Sequence, residues 1–268
     1  MLNITPKIAT LSRMSLNKLV TTALLVILPR FREVLGGFPY LSLRRPSRPA
    51  VESYLARLSL LQVPFNHDFA HLLCDPLCNL PGAPFVINHR RVVVGSGQRD
   101  FDIASQLLLD FSFINAETLT WAEVVVLPGT LQSSTRRVRL GEVIGTLVRC
   151  GWLIWVLSPC RVTCVSCDVE HTTNMRVQTS GATIPPLRSA MVGFSTVKGH
   201  LLAGEERFRV ELVPVPGSST EEVVLDMLSF SRGDGWLGWL VFPVVRGIQR
   251  AFFRAIERSF LALMKQLR

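Results

Sequence analysis

No stretch of this 268-residue chain approaches the roughly 20 consecutive apolar residues that a membrane-spanning helix needs, which excludes a polytopic membrane protein. Charge is scarce as well, with 18% charged against 48% hydrophobic residues and a mean hydropathy of +0.33. That balance excludes intrinsic disorder, which requires few apolar residues and a high net charge. No heptad repeat runs through the chain, and its 18 glycines and 16 prolines are scattered, so coiled-coil and collagenous classes fall too. Complete catalytic signatures are missing: there is no G-x-S-x-G, no P-loop and no H-E-x-x-H. The six cysteines share no regular spacing, so no disulfide framework is expected. They read as reduced, mostly buried thiols of a reducing compartment, the cytoplasm. What remains is an apolar globular domain long enough to bury a large core.

Acidic residues are absent before Glu33, and residues 1–50 carry eight Lys/Arg against that single acid. Residues 236–268 carry six against Glu257 alone, so the two ends hold +7 and +5 of the total +9 and the middle is mildly acidic. A nucleic-acid binder would spread its cations over a folded face with aromatic or amide readers beside them, so nucleic acid is not the expected partner. The apolar run Leu19–Leu28, closed by Pro29, is too short to span a bilayer and suits a targeting segment or short anchor, although no A-x-A-like cleavage site follows. Residues 1–45 therefore read as a basic extension, targeting-like or dispensable. Organelle targeting or membrane association through residues 1–42 is the alternative to a cytoplasmic location. Residues 46–268 read as one domain.

Within that domain, Val51, Tyr54, Leu55, Leu58 and Leu61 recur at helical spacing over residues 50–61. A strand over residues 85–94 turns at Gly95-Ser96-Gly97 into a helix whose Phe101, Ala104, Leu108 and Phe111 share a face. Strand-like runs follow at 120–127, 137–148, 153–157, 161–169, 190–197, 207–213 and 223–230, separated by Gly, Pro, Ser or Asn clusters. Pro243 is well placed to open a final helix. An antiparallel sheet needs its apolar face covered, and a long amphipathic helix does this. The expected fold class is α+β: a curved antiparallel sheet of about seven strands gripping a long C-terminal helix, with a pocket between them.

Several polar groups could carry chemistry. His67, His71, Cys74 and Cys78 have the flavour of a metal site, but Pro76 breaks the spacing. Cys160, Cys164 and Cys167 with His171 invite the same question, but Cys164 and Cys167 on one strand point to opposite faces because their separation is odd, so they do not chelate one ion. Gly95-x-Gly97 lacks the third glycine of a dinucleotide turn and offers Asp100 there instead. No metal and no cofactor are expected. The densest cluster lies around residues 198–208. Alternation puts Glu206, Phe208, Val210 and Leu212 on one face and Glu205, Arg207, Arg209 and Glu211 on the other. A carboxylate on an apolar face needs a partner, and His200 or Arg232 is the expected one. His200, Glu206 and Arg232 are the candidate acid–base groups, and Glu205, Glu206, Arg207, Ser231 and Arg232 the candidate ligand-binding groups. In the final helix Arg246, Arg250, Arg254 and Arg258 repeat every fourth residue, a slowly winding stripe suited to an anionic membrane or acidic partner.

Phe194-Ser-Thr-Val-Lys-Gly-His200, Gly204-Glu-Glu-Arg-Phe208, Ser231-Arg232 and Arg246-Gly-Ile-Gln249-Arg250 together resemble uncharacterised protein family 0548 of bacteria and plants. The resemblance reaches upstream to about Pro46. It departs at Ser195 for Gly, Val197 for Leu and Gly233 for Pro. The family has no assigned biochemical role, so the expected function rests on the residues. A hydrophobic small molecule or lipid is expected between sheet and C-terminal helix. An enzyme using the same pocket and a membrane-surface or pore-associated protein are the alternatives.

Overall fold

The computed structural model describes residues 41–75, 78–114, 121–127, 137–150, 154–170 and 186–268. The apolar run at 19–28, most of the basic extension and His171 lie outside the described residues. The elements in chain order are β1 (Leu41–Ser42), α1 (Arg48–Leu60), β2 (Val86–Ser96), α2 (Gly97–Leu109), β3 (Ala122–Val126), β4 (Val143–Cys150), β5 (Ile154–Glu170), β6 (Arg188–Thr196), β7 (Leu202–Pro214), β8 (Glu221–Gly233) and α3 (Gly235–Leu267).

Strands β3 to β8 form an antiparallel meander, and β2 adds beside β8, giving the order β2-β8-β7-β6-β5-β4-β3. The short β1 pairs with β5 off this path. Bulges interrupt β2 between Val93 and Gly95, and β5 between Val162 and Cys164 and between Ser166 and Val169. Each adds local bend to the sheet. The two runs read at 153–157 and 161–169 are one strand. Pro159 does not break it, because its φ suits extended backbone and it pairs directly with Gly145 of β4.

Period-two alternation gives the sheet two covered faces. The inner face buries Phe208, Val210 and Leu212 of β7, Val223, Leu225 and Met227 of β8, and Ala190, Val192 and Phe194 of β6. Phe101, Ala104 and Leu108 of α2 and Phe253, Ile256 and Phe260 of α3 close over them. On the outer face Val51, Leu55 and Leu58 of α1 pack on Val143, Leu147 and Leu157. Gly145 permits that approach, since a Cβ there would sit about 3 Å from the methyls of Leu55 and Leu157. Leu61, expected on the same apolar stripe, is exposed because α1 ends at Leu60. The loop between α1 and β2 covers part of the remaining outer face, with Leu73 against Leu228 and Phe230, while Ile87 and Val93 of the edge strand β2 stay exposed.

The final helix starts at Gly235, eight residues before Pro243, which lies inside it. Asp234 is its N-cap residue and holds the chain by accepting a 2.9 Å hydrogen bond from Asn66 Nδ2. At the other end Arg268 meets Asp100, whose carboxylate also accepts the Ser96 N–H at 2.8 Å. The glycine turn before α2 is thus an anchor for the C-terminus.

Candidate functional site

Along the inner face, large apolar side chains give way at one end of the sheet to small and polar ones. In β7 the series Leu212, Val210, Phe208 continues as Glu206 and Gly204. In β8, Val223, Leu225 and Met227 continue as Ser229 and Ser231. Thr146 of β4 and Ser158 of β5 pair across the same end. Side chains this short leave the space beneath the helix unfilled, and a cavity of about 150 Å³ lies between sheet and α3. Val245, Ile248, Gln249 and Phe252 of α3 roof it, while Trp121, Phe194 and Leu202 complete an apolar wall.

Glu206 projects into this cavity. Its Oε1 is buried and has no hydrogen-bond partner among the described residues. Burial pushes its pKa up to about 8, so the carboxyl holds its proton at neutral pH and presents an O–H donor. His200 lines the same cavity. Its Nδ1 accepts the Leu202 N–H at 2.9 Å, which leaves the proton on Nε2, and burial pushes its pKa down to about 4. Ser231 Oγ lies 3.1 Å from Gln249 Nε2, joining sheet to roof. Gln249, Ser229, Thr146 and Ser158 were absent from the sequence-derived site. For the three strand residues the signal was the replacement of bulky inward residues by short polar ones at alternate positions, whereas Gln249 lies on α3 and its signal was its place in the Arg246-Gly-Ile-Gln249-Arg250 motif.

The other sequence-derived candidates lie on the opposite face. Ser231 faces the cavity beside Gly204, so its neighbour Arg232 points outward. The Arg232 guanidinium stacks 5.4 Å over the Phe85 ring and donates to Gly233 O. It is not the partner of Glu206. Glu205 also turns outward, where its carboxylate accepts four hydrogen bonds: the N–H groups of His71 (3.0 Å) and Leu73 (2.8 Å), and the hydroxyls of Thr163 (2.7 Å) and Ser195 (2.9 Å). Arg207 pairs with Asp226 at 2.7 Å. Both are buried clamps on the loop and sheet. His67 donates to Gly204 O at 2.8 Å and His71 to Thr163 O at 3.0 Å, so each histidine ties that loop to a strand. Gly204 must be glycine here, because a Cβ would fall 2.1 Å from Phe230 O. In α3, Arg246 is buried, while Arg250, Arg254 and Arg258 are exposed.

An antiparallel sheet gripping a long C-terminal helix, with a polar-tipped apolar cavity between them, is a helix-grip α+β protein. The family model for a domain of unknown function (DUF1990) matches residues 77–259, and the chain belongs to that family. An Arabidopsis thaliana protein of uncharacterised protein family 0548 is 30% identical over 179 residues, covering 66% of this chain and 72% of its own length. Among solved structures, a hypothetical protein from Helicobacter pylori superposes with a TM-score of 0.39 at 12% identity, covering 66% of this chain and 86% of that one. A ginseng major latex-like protein from Panax ginseng gives a TM-score of 0.36 at 11% identity, covering 66% and 96%.

Proposed function

We propose that the chain binds a hydrophobic small molecule, or the end of a lipid, in the cavity between its sheet and α3. The observation that carries this reading is a buried carboxyl oxygen without a partner, set in the wall of an apolar cavity of about 150 Å³. An apolar cavity of roughly this size holds a molecule such as benzene, so the buried part of the ligand is a ring or a short acyl segment. Leaving a polar atom unsatisfied in such a place costs on the order of 1–3 kcal/mol. A ligand oxygen accepting from the neutral Glu206 carboxyl recovers that cost, and Ser229, Ser231 and Gln249 offer further polar contacts.

A fluorescent naphthalene probe titrated into the folded protein is expected to bind saturably, one to one, and to be displaced by excess short-chain fatty acid. Absence of saturable binding removes the reading. A catalytic reading of the same cavity has one observation in its favour: Glu206 and His200 are driven to opposite protonation preferences within one site, as an acid and a base require. On that reading Glu206→Gln abolishes turnover of the bound ligand while leaving binding measurable.

A further inference from the structure

Helix α3 turns a second face away from the cavity. It is 33 residues long, about 50 Å at 1.5 Å per residue. Steps of three and four residues from Trp236 through Leu240 and Pro243 to Arg250, Arg254, Arg258 and Lys265 follow one line along its outer side. The first turns of this line are apolar and exposed, with Trp236 at 65%, Leu240 at 60% and, at its margin, Trp239 at 45%. The later turns are basic and exposed. Among the described residues Arg250, Arg254 and Arg258 make no ion pair, and the one acid of the helix, Glu257, is held by Arg90.

We propose that this face docks on an anionic lipid bilayer, with Trp236, Trp239 and Leu240 entering the boundary between headgroups and acyl chains and Arg250, Arg254 and Arg258 meeting lipid phosphates. Tryptophan settles at that boundary because its ring is apolar and its N–H polar. Arginine stems lie along apolar surface while their heads stay in the phosphate layer. The line joins exposed apolar rings to exposed arginines, which matches a surface that has acyl chains beneath anionic headgroups. The arginine stripe of the sequence loses Arg246 to burial and gains an aromatic end that the start assigned at Pro243 had hidden. The proposal does not rest on the ligand reading, since the cavity uses the opposite side of the helix.

The test uses the full chain and vesicles of phosphatidylcholine with and without phosphatidylglycerol. The protein should sediment with the anionic vesicles only, and less as salt is raised. Each basic residue near a charged surface contributes about fivefold, so R250E/R254E/R258E should weaken binding by on the order of a hundredfold or more. Brominated lipid should quench tryptophan fluorescence in the wild type, and W236F/W239F should lose that quenching. An arginine variant that melts like the wild type yet sediments equally overturns the proposal, because the basic N-terminal residues then carry the binding. Should that variant fail to fold, absence of bromine quenching in the wild type overturns it as well. Salt-sensitive binding to duplex DNA without binding to vesicles assigns the stripe to nucleic acid and also overturns it.

Discussion

Glu205 and Glu206 are neighbours in sequence with opposite surroundings, because a strand sends successive side chains to opposite faces. Glu205 accepts four hydrogen bonds on the outer face, whereas Glu206 keeps an unpartnered oxygen in the cavity wall. The sequence reading of Glu206 as a paired, stabilising carboxylate therefore changes sign. The unfolded chain ionises this group near 4.3, and the folded chain near 8. Below both values the group has no differential effect. Between them the unfolded state releases a proton that the folded state retains, so stability falls as pH rises and levels off above about 8. Glu206→Gln removes that loss. Urea unfolding should show the variant about equal to wild type near pH 4 and more stable from neutral pH upward, by on the order of 1–3 kcal/mol once water entering the cavity is allowed for. A variant less stable than wild type at about pH 8 would show that Glu206 has a partner.

At the scale of elements, alternation and helical spacing made the inner face legible. Phe208, Val210 and Leu212, and Phe101, Ala104 and Leu108, face the core as their periods require. Boundaries fared worse where proline and glycine sit inside an element. Pro159 lies within β5, and Pro243, expected to open the final helix, lies eight residues inside α3, which starts at Gly235 directly after β8 ends at Gly233. The buried ladder of Arg207, Arg209 and Glu211 was also hidden. Alternation marks those residues as outward and gives no sign that Arg207 donates to Leu73 O of the loop or that Arg209 pairs with Glu211. The same loop reaches across the chain through Asn66, which donates to Leu202 O and Asp234 Oδ2, a contact that no local pattern encodes. Pro243 is exposed in the helix interior, where proline is roughly 3 kcal/mol less favourable than alanine. Pro243→Ala should raise the thermal midpoint, with the surrounding packing reducing the gain to about 1–3 kcal/mol. A lower midpoint would mean that the proline's fixed geometry is needed to bend α3 over the sheet.

For the whole molecule, the arrangement is a sheet whose inner face is closed by two helices and whose void lies where α3 crosses short polar side chains. A lipid-facing barrel needs a polar interior and an apolar exterior. Here the inner face is apolar and closed by α2 and α3, and among the described residues β2 and β3 end the sheet without pairing. No helix among the described residues is long and apolar enough to cross a membrane. Candidate residues divided by face: Glu206, His200 and Ser231 line the cavity, while Arg207 and Arg232 turn outward. The division was implicit in residue parity, but the cavity itself comes from contacts between β4, β5, β8 and α3 that are distant in sequence. Filling the cavity tests whether it holds a ligand. Thr146→Phe places a ring in the void from a strand position whose backbone pairing is unaffected. Titration of the naphthalene probe should show affinity reduced at least tenfold, with a thermal midpoint equal to or above that of the wild type as the void is filled. Unchanged probe affinity in a folded Thr146→Phe protein would mean that the cavity is not the ligand site, because the probe would then be bound elsewhere.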